Sequence, residues 1–246
     1  ISGDESFTLY SKFRRTKGVL DTVGTIAYEL RAEQEQAVSQ TFDYFMSHEK
    51  GEFLWNAKPR FGKTLATYDL CKRLQSTKGD YACNILIVTN RPAIANSWYE
   101  DFVKFIGTES GFRFVSEVSA LKGKPFVMSR EEYTDSLTKE LADCIEFVSL
   151  QDLKGSLYFG GQHDKLKELV NMQWELLVID EAHEGVDTSK TDVAFHQIKR
   201  NHTLHLSGTP FKALANDKFP SDAIYNWTYA DEQLSLIHIY EPTRLR

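Results

Sequence analysis

Apolar positions along this chain follow two rhythms. Gln34, Ala37, Val38, Thr41, Phe42 and Phe45 trace one face at a spacing close to helical, and predict a helix that starts just after Leu30. Glu52–Asn56 predicts a short strand, Ala57–Lys63 a loop, and Thr64 to about Leu74 a second helix. Asn84–Thr89 (NILIVT) is an unbroken, largely β-branched run, as expected of a strand covered on both faces. A helix around Ala93–Phe105 follows it. Further strands are predicted at Ile145–Leu150, Glu175–Ile179 (ELLVI) and Thr203–Leu206, with helices at His163–Met172 and Thr191–Lys199. Residues 107–144 are less regular: a strand at Phe112–Val118, then Gly123, Pro125 and a charged helical stretch, together read as an insertion. Alternating strands and helices define an α/β fold, a mainly parallel sheet with helices on both faces. Residues 1–28 are polar, carry the basic cluster Lys12, Arg14, Arg15 and Lys17, and read as a linker or the end of an upstream domain.

Composition narrows the classes. In 246 residues, 41% hydrophobic and 26% charged positions describe a globular chain, not a disordered one. No apolar run reaches the ~18–20 residues that span a bilayer, so no membrane partner is expected. With 29 Lys plus Arg against 35 Asp plus Glu, the formal charge of −6 gives no bulk basic footprint. Any nucleic-acid contact must therefore be local. Cys71, Cys83 and Cys144 form no CxxC pair, which suggests neither a disulfide framework nor a zinc site and fits a reducing cytoplasm. The first residue, Ile1, suggests a start inside a longer reading frame.

Two segments carry chemistry. Ala57-Lys58-Pro59-Arg60-Phe61-Gly62-Lys63-Thr64 lies between a predicted strand and a predicted helix and matches the phosphate-loop pattern G-x-x-x-x-G-K-[ST], with Ala57 for the first Gly. Such a loop wraps polyphosphate with backbone N–H groups, and the helix N-terminus adds roughly half a positive charge. In that reading Gly62 permits close backbone approach, Lys63 is the point charge on the β- and γ-phosphates, and Thr64 offers a hydroxyl to Mg²⁺. The bland alternative is an ordinary strand–turn–helix.

Asp180 and Glu181 follow the most hydrophobic strand directly, with His183 two positions on. Ligands of open α/β sheets bind at the carboxyl ends of the strands, where this pair would sit. An acidic pair there is costly without a cation or hydrogen bonds. Mg²⁺ held through Asp180, and a water oriented by Glu181, would supply that compensation. The alternative is a solvated acidic turn. Together the two segments amount to a nucleoside triphosphate site.

The phosphate loop with Asp180-Glu181-Ala182-His183 resembles the first RecA-like motor lobe of superfamily 2 helicases of the DEAH type. Other segments fit that family in order. Leu30-Arg31-x-x-Gln34-x-x-Ala37 resembles the segment whose Gln recognises adenine. Val88-Thr89-Asn90-Arg91-Pro92, with Trp98 and Phe102 after it, resembles the motif along the nucleic-acid backbone. Ser149-Leu150-Gln151 resembles the next contact segment, and Ser207-Gly208-Thr209-Pro210 the motif that links the ATP site to the nucleic-acid groove. The wording is closest to the Res group of type III restriction enzymes, and Trp227–Gln233 is similar to the stretch after the last motif in that group. The resemblance runs from about residue 29 to 233.

The resemblance implies a P-loop motor lobe that uses ATP and Mg²⁺ and acts on double-stranded DNA, with catalytic roles for Lys63, Asp180 and Glu181. Gln34, Ala57, Arg60, Phe61, Gly62, Lys63 and Thr64 would bind nucleotide, and Thr64 and Asp180 the metal. His183, Ser207 and Thr209 would couple nucleotide state to the groove; Thr89, Arg91, Ser149 and Gln151 would contact nucleic acid. Attached or associated nuclease or methyltransferase units are implied as well. Two positions depart from the pattern: Arg60 stands where a small residue or Gly is usual, and Phe61 where Ser or Thr is common. At helical spacing, Trp98 and Phe102 read as core packing before base stacking, and Gln34 could be a plain polar helix residue.

Nothing after Pro210 resembles a second motor lobe, so this chain is expected to bind nucleotide yet hydrolyse it slowly. Residues 234–246 resemble a translated sequencing adapter; their Glu241, Arg244 and Arg246 carry a net +1. Rival readings are an RNA helicase lobe, a P-loop NTPase acting on a small molecule, and a non-catalytic binding module. The small-molecule enzyme would not need Ser207-Gly208-Thr209-Pro210, and the intact Lys63 and Asp180-Glu181 argue against the binding module.

Overall fold

The structure is a computed structural model and describes residues 26–79, 81–90, 92–107, 110–137, 143–180, 195–208, 219–228 and 231. Arg91, Glu181, His183, Thr209, most of the helix expected at Thr191–Lys199 and the segment 234–246 lie outside the described residues.

Helix α1 (Ala32–Ser47) buries Gln34, Ala37, Val38, Thr41 and Phe45, close to the face read from the sequence. Strand β1 (Gly51–Ala57) runs into the Lys58–Gly62 loop, and α2 (Lys63–Ser76) starts on Gly62. After β2 (Asn84–Thr89) a 3₁₀ turn at Pro92–Ile94 leads into α3 (Ala95–Asp101), which widens into a π turn at Phe102–Ile106. The segment read as an insertion supplies β3 (Phe112–Ser116), the two-residue β4 (Val127–Met128) and α4 (Arg130–Leu137). Then come β5 (Asp143–Ser149), α5 (Leu150–Gly155), α6 (Lys167–Asn171), β6 (Trp174–Asp180), β7 (Arg200–Ser207) and β8 (Ile224–Trp227).

The strands make one sheet in the order β4-β3-β5-β2-β6-β7-β1-β8, and every pairing is parallel. Alternating side chains split between two cores, as the two-residue period of a strand demands. Phe53, Trp55, Ile85, Ile87, Ile145, Phe147, Leu176, Val178, Leu204 and Leu206 pack toward α1, α2 and α3. Leu86, Val88, Cys144, Val148, Leu177 and Ile179 pack on the other face with Tyr133 of α4, Leu150 and Leu153 of α5, and Leu169 of α6. Helices therefore cover both faces, and each buried Leu or Ile contributes roughly 1.5–3 kcal/mol. The carboxyl edge of the sheet is left to the loops.

Several elements differ from their sequence expectation: α5 and β8 have no counterpart in it, and the helix expected over Ala93–Phe105 is α-helical only over Ala95–Asp101. A helix over His163–Met172 shrinks to Lys167–Asn171, because Leu166 takes a left-handed backbone (φ 66°) and His163 is held in a bridge to Ser156. The three cysteines are buried and unpaired, and burial pushes the Cys71 and Cys144 thiols well up. Among the described residues no helix is long and apolar enough to cross a membrane.

Candidate active site

Among the described residues, Thr89, Ser149, Asp180, Ser207 and the loop that follows Ala57 gather on the carboxyl edge. In the sheet register Thr89 at the end of β2 faces Asp180 at the end of β6, and Asp180 faces Leu206 of β7. Ser207, the next residue, faces Asn56, one position before Ala57 at the end of β1. One strand separates β6 from β1, so at ~4.8 Å per strand the Asp180 backbone stands about 10 Å from Trp55, its register mate across β7, and Ala57 lies two residues further along the same edge.

Lys63 opens α2, and its Nζ donates to the Ala57 carbonyl at 2.7 Å. Ala57 lies inside β1, in regular strand pairing with Trp227, so this position makes no demand for the conformational freedom of the usual glycine. The demand falls on Gly62 (φ 84°), where a Cβ would also collide with the Gln34 amide. Arg60 is the second left-handed residue of the loop (φ 71°), a conformation that costs an L-residue ~1–2 kcal/mol. Strain of this kind persists only where the surroundings enforce it.

Those surroundings are visible. Phe61 is buried among Trp55, Tyr225 and Trp227, with ring centroids 6.1–6.4 Å away, so its side chain anchors the loop and only its backbone can meet a ligand. The Phe61 carbonyl accepts from Gln34 Nε2 at 2.8 Å and from the Arg31 guanidinium. Gln34 Oε1 in turn accepts the Arg31 backbone N–H at 2.9 Å. Gln34 is 4% exposed, and both ends of its amide are engaged: it braces the phosphate loop. The sequence marked Arg31 as part of a motif but gave it no task; a long donor three residues before Gln34 was the available signal. Lys58 N–H bonds the Trp227 carbonyl at 3.3 Å, tying the loop to β8 as well.

On the metal side, Asp180 is 7% exposed and its Oδ2 accepts from Trp98 Nε1 at 3.1 Å. Trp98 and Phe102 are buried, as the core-packing reading expects, but the polar tip of Trp98 reaches the candidate metal ligand. Ser207 is fully buried at the end of β7, and Gly208 beside it leans on the loop: a Cβ there would sit 4.0 Å from Lys63 Nζ. Thr89 is fully buried. The Ser149 hydroxyl caps α5, accepting Asp152 N–H at 3.0 Å and donating to Asp152 Oδ2 at 2.6 Å; Gln151, in the first turn of that helix, is exposed.

The donor set fits a triphosphate and a hard cation. A cationic amine rests on one turn of a glycine-dependent loop, the first turn of α2 leaves N–H groups without intrahelical partners, and a hydroxyl and a buried carboxylate bracket the same edge. Sheet order, loop and acidic strand end define a RecA-like lobe of the P-loop kind.

The chain belongs to the family described as the type III restriction enzyme Res subunit, whose profile matches residues 27–212. It is similar to a Mycoplasma pneumoniae sequence named as the C-terminus of a type II restriction enzyme and methyltransferase, at 24% identity over 84% of this chain and 32% of that sequence. Among solved structures it resembles a nuclease-deletion mutant of the type ISP restriction-modification enzyme LlaGI in complex with a DNA substrate mimic (TM-score 0.63, 14% identity, 87% of this chain, 21% of the other). It also resembles the Sulfolobus solfataricus SWI2/SNF2 ATPase core in complex with double-stranded DNA (TM-score 0.54, 18% identity, 79% of this chain, 35% of the other). The chain thus spans about a third of the length of its curated relative and about a fifth of LlaGI.

Proposed function

We propose that this chain is the ATP- and Mg²⁺-binding first lobe of a restriction-system motor that translocates along double-stranded DNA. The observation that carries the reading is the shared edge: the loop bearing Lys63, the end of β7 bearing Ser207 and the end of β6 bearing Asp180 are successive along one rim of the sheet. Family membership favours the same reading over a small-molecule NTPase.

In this scheme Lys63 leaves the Ala57 carbonyl for the β- and γ-phosphate oxygens, and backbone amides at the start of α2 share that charge. Thr64 Oγ1 and Asp180 hold the cation, which when bound neutralises charge developing on the transferred phosphoryl group. Glu181, next along the chain, orients the attacking water. Ser207, Thr209 and His183 answer to the presence of the γ-phosphate, and Arg91 and the exposed Gln151 contact the DNA backbone, with the buried Thr89 anchoring the strand end that leads to Arg91. A second RecA-like lobe, together with nuclease or methyltransferase units, completes the enzyme. DNA contacts made by hydroxyls and backbone amides are compatible with the negative net charge.

Lys63→Ala tests the reading: binding of a fluorescent ATP analogue should be lost, while the melting temperature stays near that of the parent chain. Undiminished affinity in that variant would remove the site.

A further inference from the structure

We propose that Trp98 is a positioning residue for the metal site, holding the Asp180 carboxylate in the orientation that receives Mg²⁺; this rests on the nucleotide-site reading above. Trp98 is 1% exposed, and its indole N–H meets Asp180 Oδ2 at 3.1 Å inside the protein. Its backbone carbonyl accepts the Tyr68 hydroxyl at 2.6 Å, and the two rings stand edge to face with centroids 5.4 Å apart. Tyr68 lies on α2, one turn beyond Lys63 and Thr64, and is fully buried. One residue of α3 therefore bonds both the helix that presents the phosphate-binding lysine and the strand end that presents the metal carboxylate.

The chemistry suits the task. An indole N–H is a donor only and has no accessible second protonation state. It favours the ionised carboxylate and commits Oδ2, which sets the direction of Oδ1. Hydrogen bonds to an ionised acceptor are roughly twice as strong as neutral ones. Groups that orient a metal ligand from behind typically contribute 10–100-fold in metal affinity. A tryptophan that served packing alone needs only some acceptor for its N–H; this one uses the buried carboxylate of the candidate metal site.

The test is Trp98→Phe in the 246-residue chain, which removes the N–H and keeps an aromatic ring. Binding of a fluorescent ATP analogue is titrated with Mg²⁺ from an EDTA baseline, and thermal unfolding is followed in parallel. The expected result is metal-free nucleotide binding equal to that of the parent, with the half-saturating Mg²⁺ concentration raised about tenfold or more. Superimposable Mg²⁺ curves would overturn the proposal, as would equal weakening with and without metal, which marks a purely structural role. If the variant does not fold, the ¹⁵N-labelled parent decides. The Trp98 indole resonance should shift when Mg²⁺ is added to the nucleotide-bound chain, and an unmoved resonance overturns the proposal. Absence of Mg²⁺-promoted nucleotide binding in the parent chain would instead sink the site reading and this inference with it.

Discussion

Gly62→Ala probes the phosphate loop without touching its charge. Gly62 holds φ 84°, and a methyl group there would collide with the Gln34 amide. The left-handed backbone costs an alanine ~1–2 kcal/mol. Moving the amide aside breaks the 2.8 Å bond from Gln34 Nε2 to the Phe61 carbonyl, worth about 0.5–1.5 kcal/mol. The sum is roughly 1.5–3.5 kcal/mol, or roughly 3–14 °C in melting temperature at ~2–4 °C per kcal/mol for a chain of this size. Gln34→Ala alone forfeits two hydrogen bonds, about 1–3 kcal/mol. In the double variant the collision has no second partner and only the backbone strain remains. The combined loss should therefore fall short of the sum of the singles by about 0.5–1.5 kcal/mol, measured by urea unfolding of all four proteins. Additivity within ~0.3–0.5 kcal/mol would refute the brace between α1 and the loop.

Two other perturbations separate buried charge from buried shape. Arg130→Ala should cost ~3–5 kcal/mol at neutral pH, because the guanidinium is bonded to Oε1 of the buried Glu146, whose Oε2 has no hydrogen-bond partner. Burial already raises the Glu146 pKa against the pull of Arg130, so protonation is easier in the folded chain, and the loss should shrink as pH falls toward the ordinary carboxylate range; a pH-independent loss in chemical denaturation would refute this. His202 is 5% exposed and stacked on Phe45, its Nδ1 lacks a partner, and burial lowers its pKa although Glu175 opposes the shift and Lys78 and His48 reinforce it. The unfolded chain then takes up a proton near pH ~6.5 that the folded chain refuses, so stability is full above that value and falls below it. His202→Gln should flatten the decline in melting temperature between pH 7 and 5, and an unchanged slope would remove His202 as its source.

The strands were legible because burial on both faces leaves a signature: Ile85–Val88 and Leu176–Ile179 are unbroken apolar runs inside β2 and β6, as a covered parallel sheet asks. The edges were less legible. At one end of the sheet the two-residue β4 pairs with β3 alone and is too short to carry a strand pattern, so the segment containing it reads as irregular. His163–Met172 has acceptable helical composition, and nothing in it announces that tertiary pairing of Ser156 with His163 delays the helix to Lys167. At the site, motif spacing locates Lys63 and Asp180, since backbone geometry fixes where they fall. The tasks of Gln34, Phe61 and Ser149 depend on what their side chains touch. Each makes contacts within the fold that motif spacing does not reveal.

That internal expenditure shapes the loop. A trans peptide directs its C=O and the following N–H to opposite sides. Arg31 and Gln34 pull the Phe61 carbonyl toward α1, so the Gly62 N–H must point away from that helix. The Phe61 ring, seated among Trp55, Tyr225 and Trp227, prevents the peptide from turning back. An amide fixed before the ligand arrives loses little conformational freedom on binding, whereas an unbraced loop would lose ~1–2 kcal/mol of backbone entropy per residue ordered. A bulky aromatic in place of the usual small residue thus fits the phosphate loop here, because its side chain serves the core while its backbone serves the site.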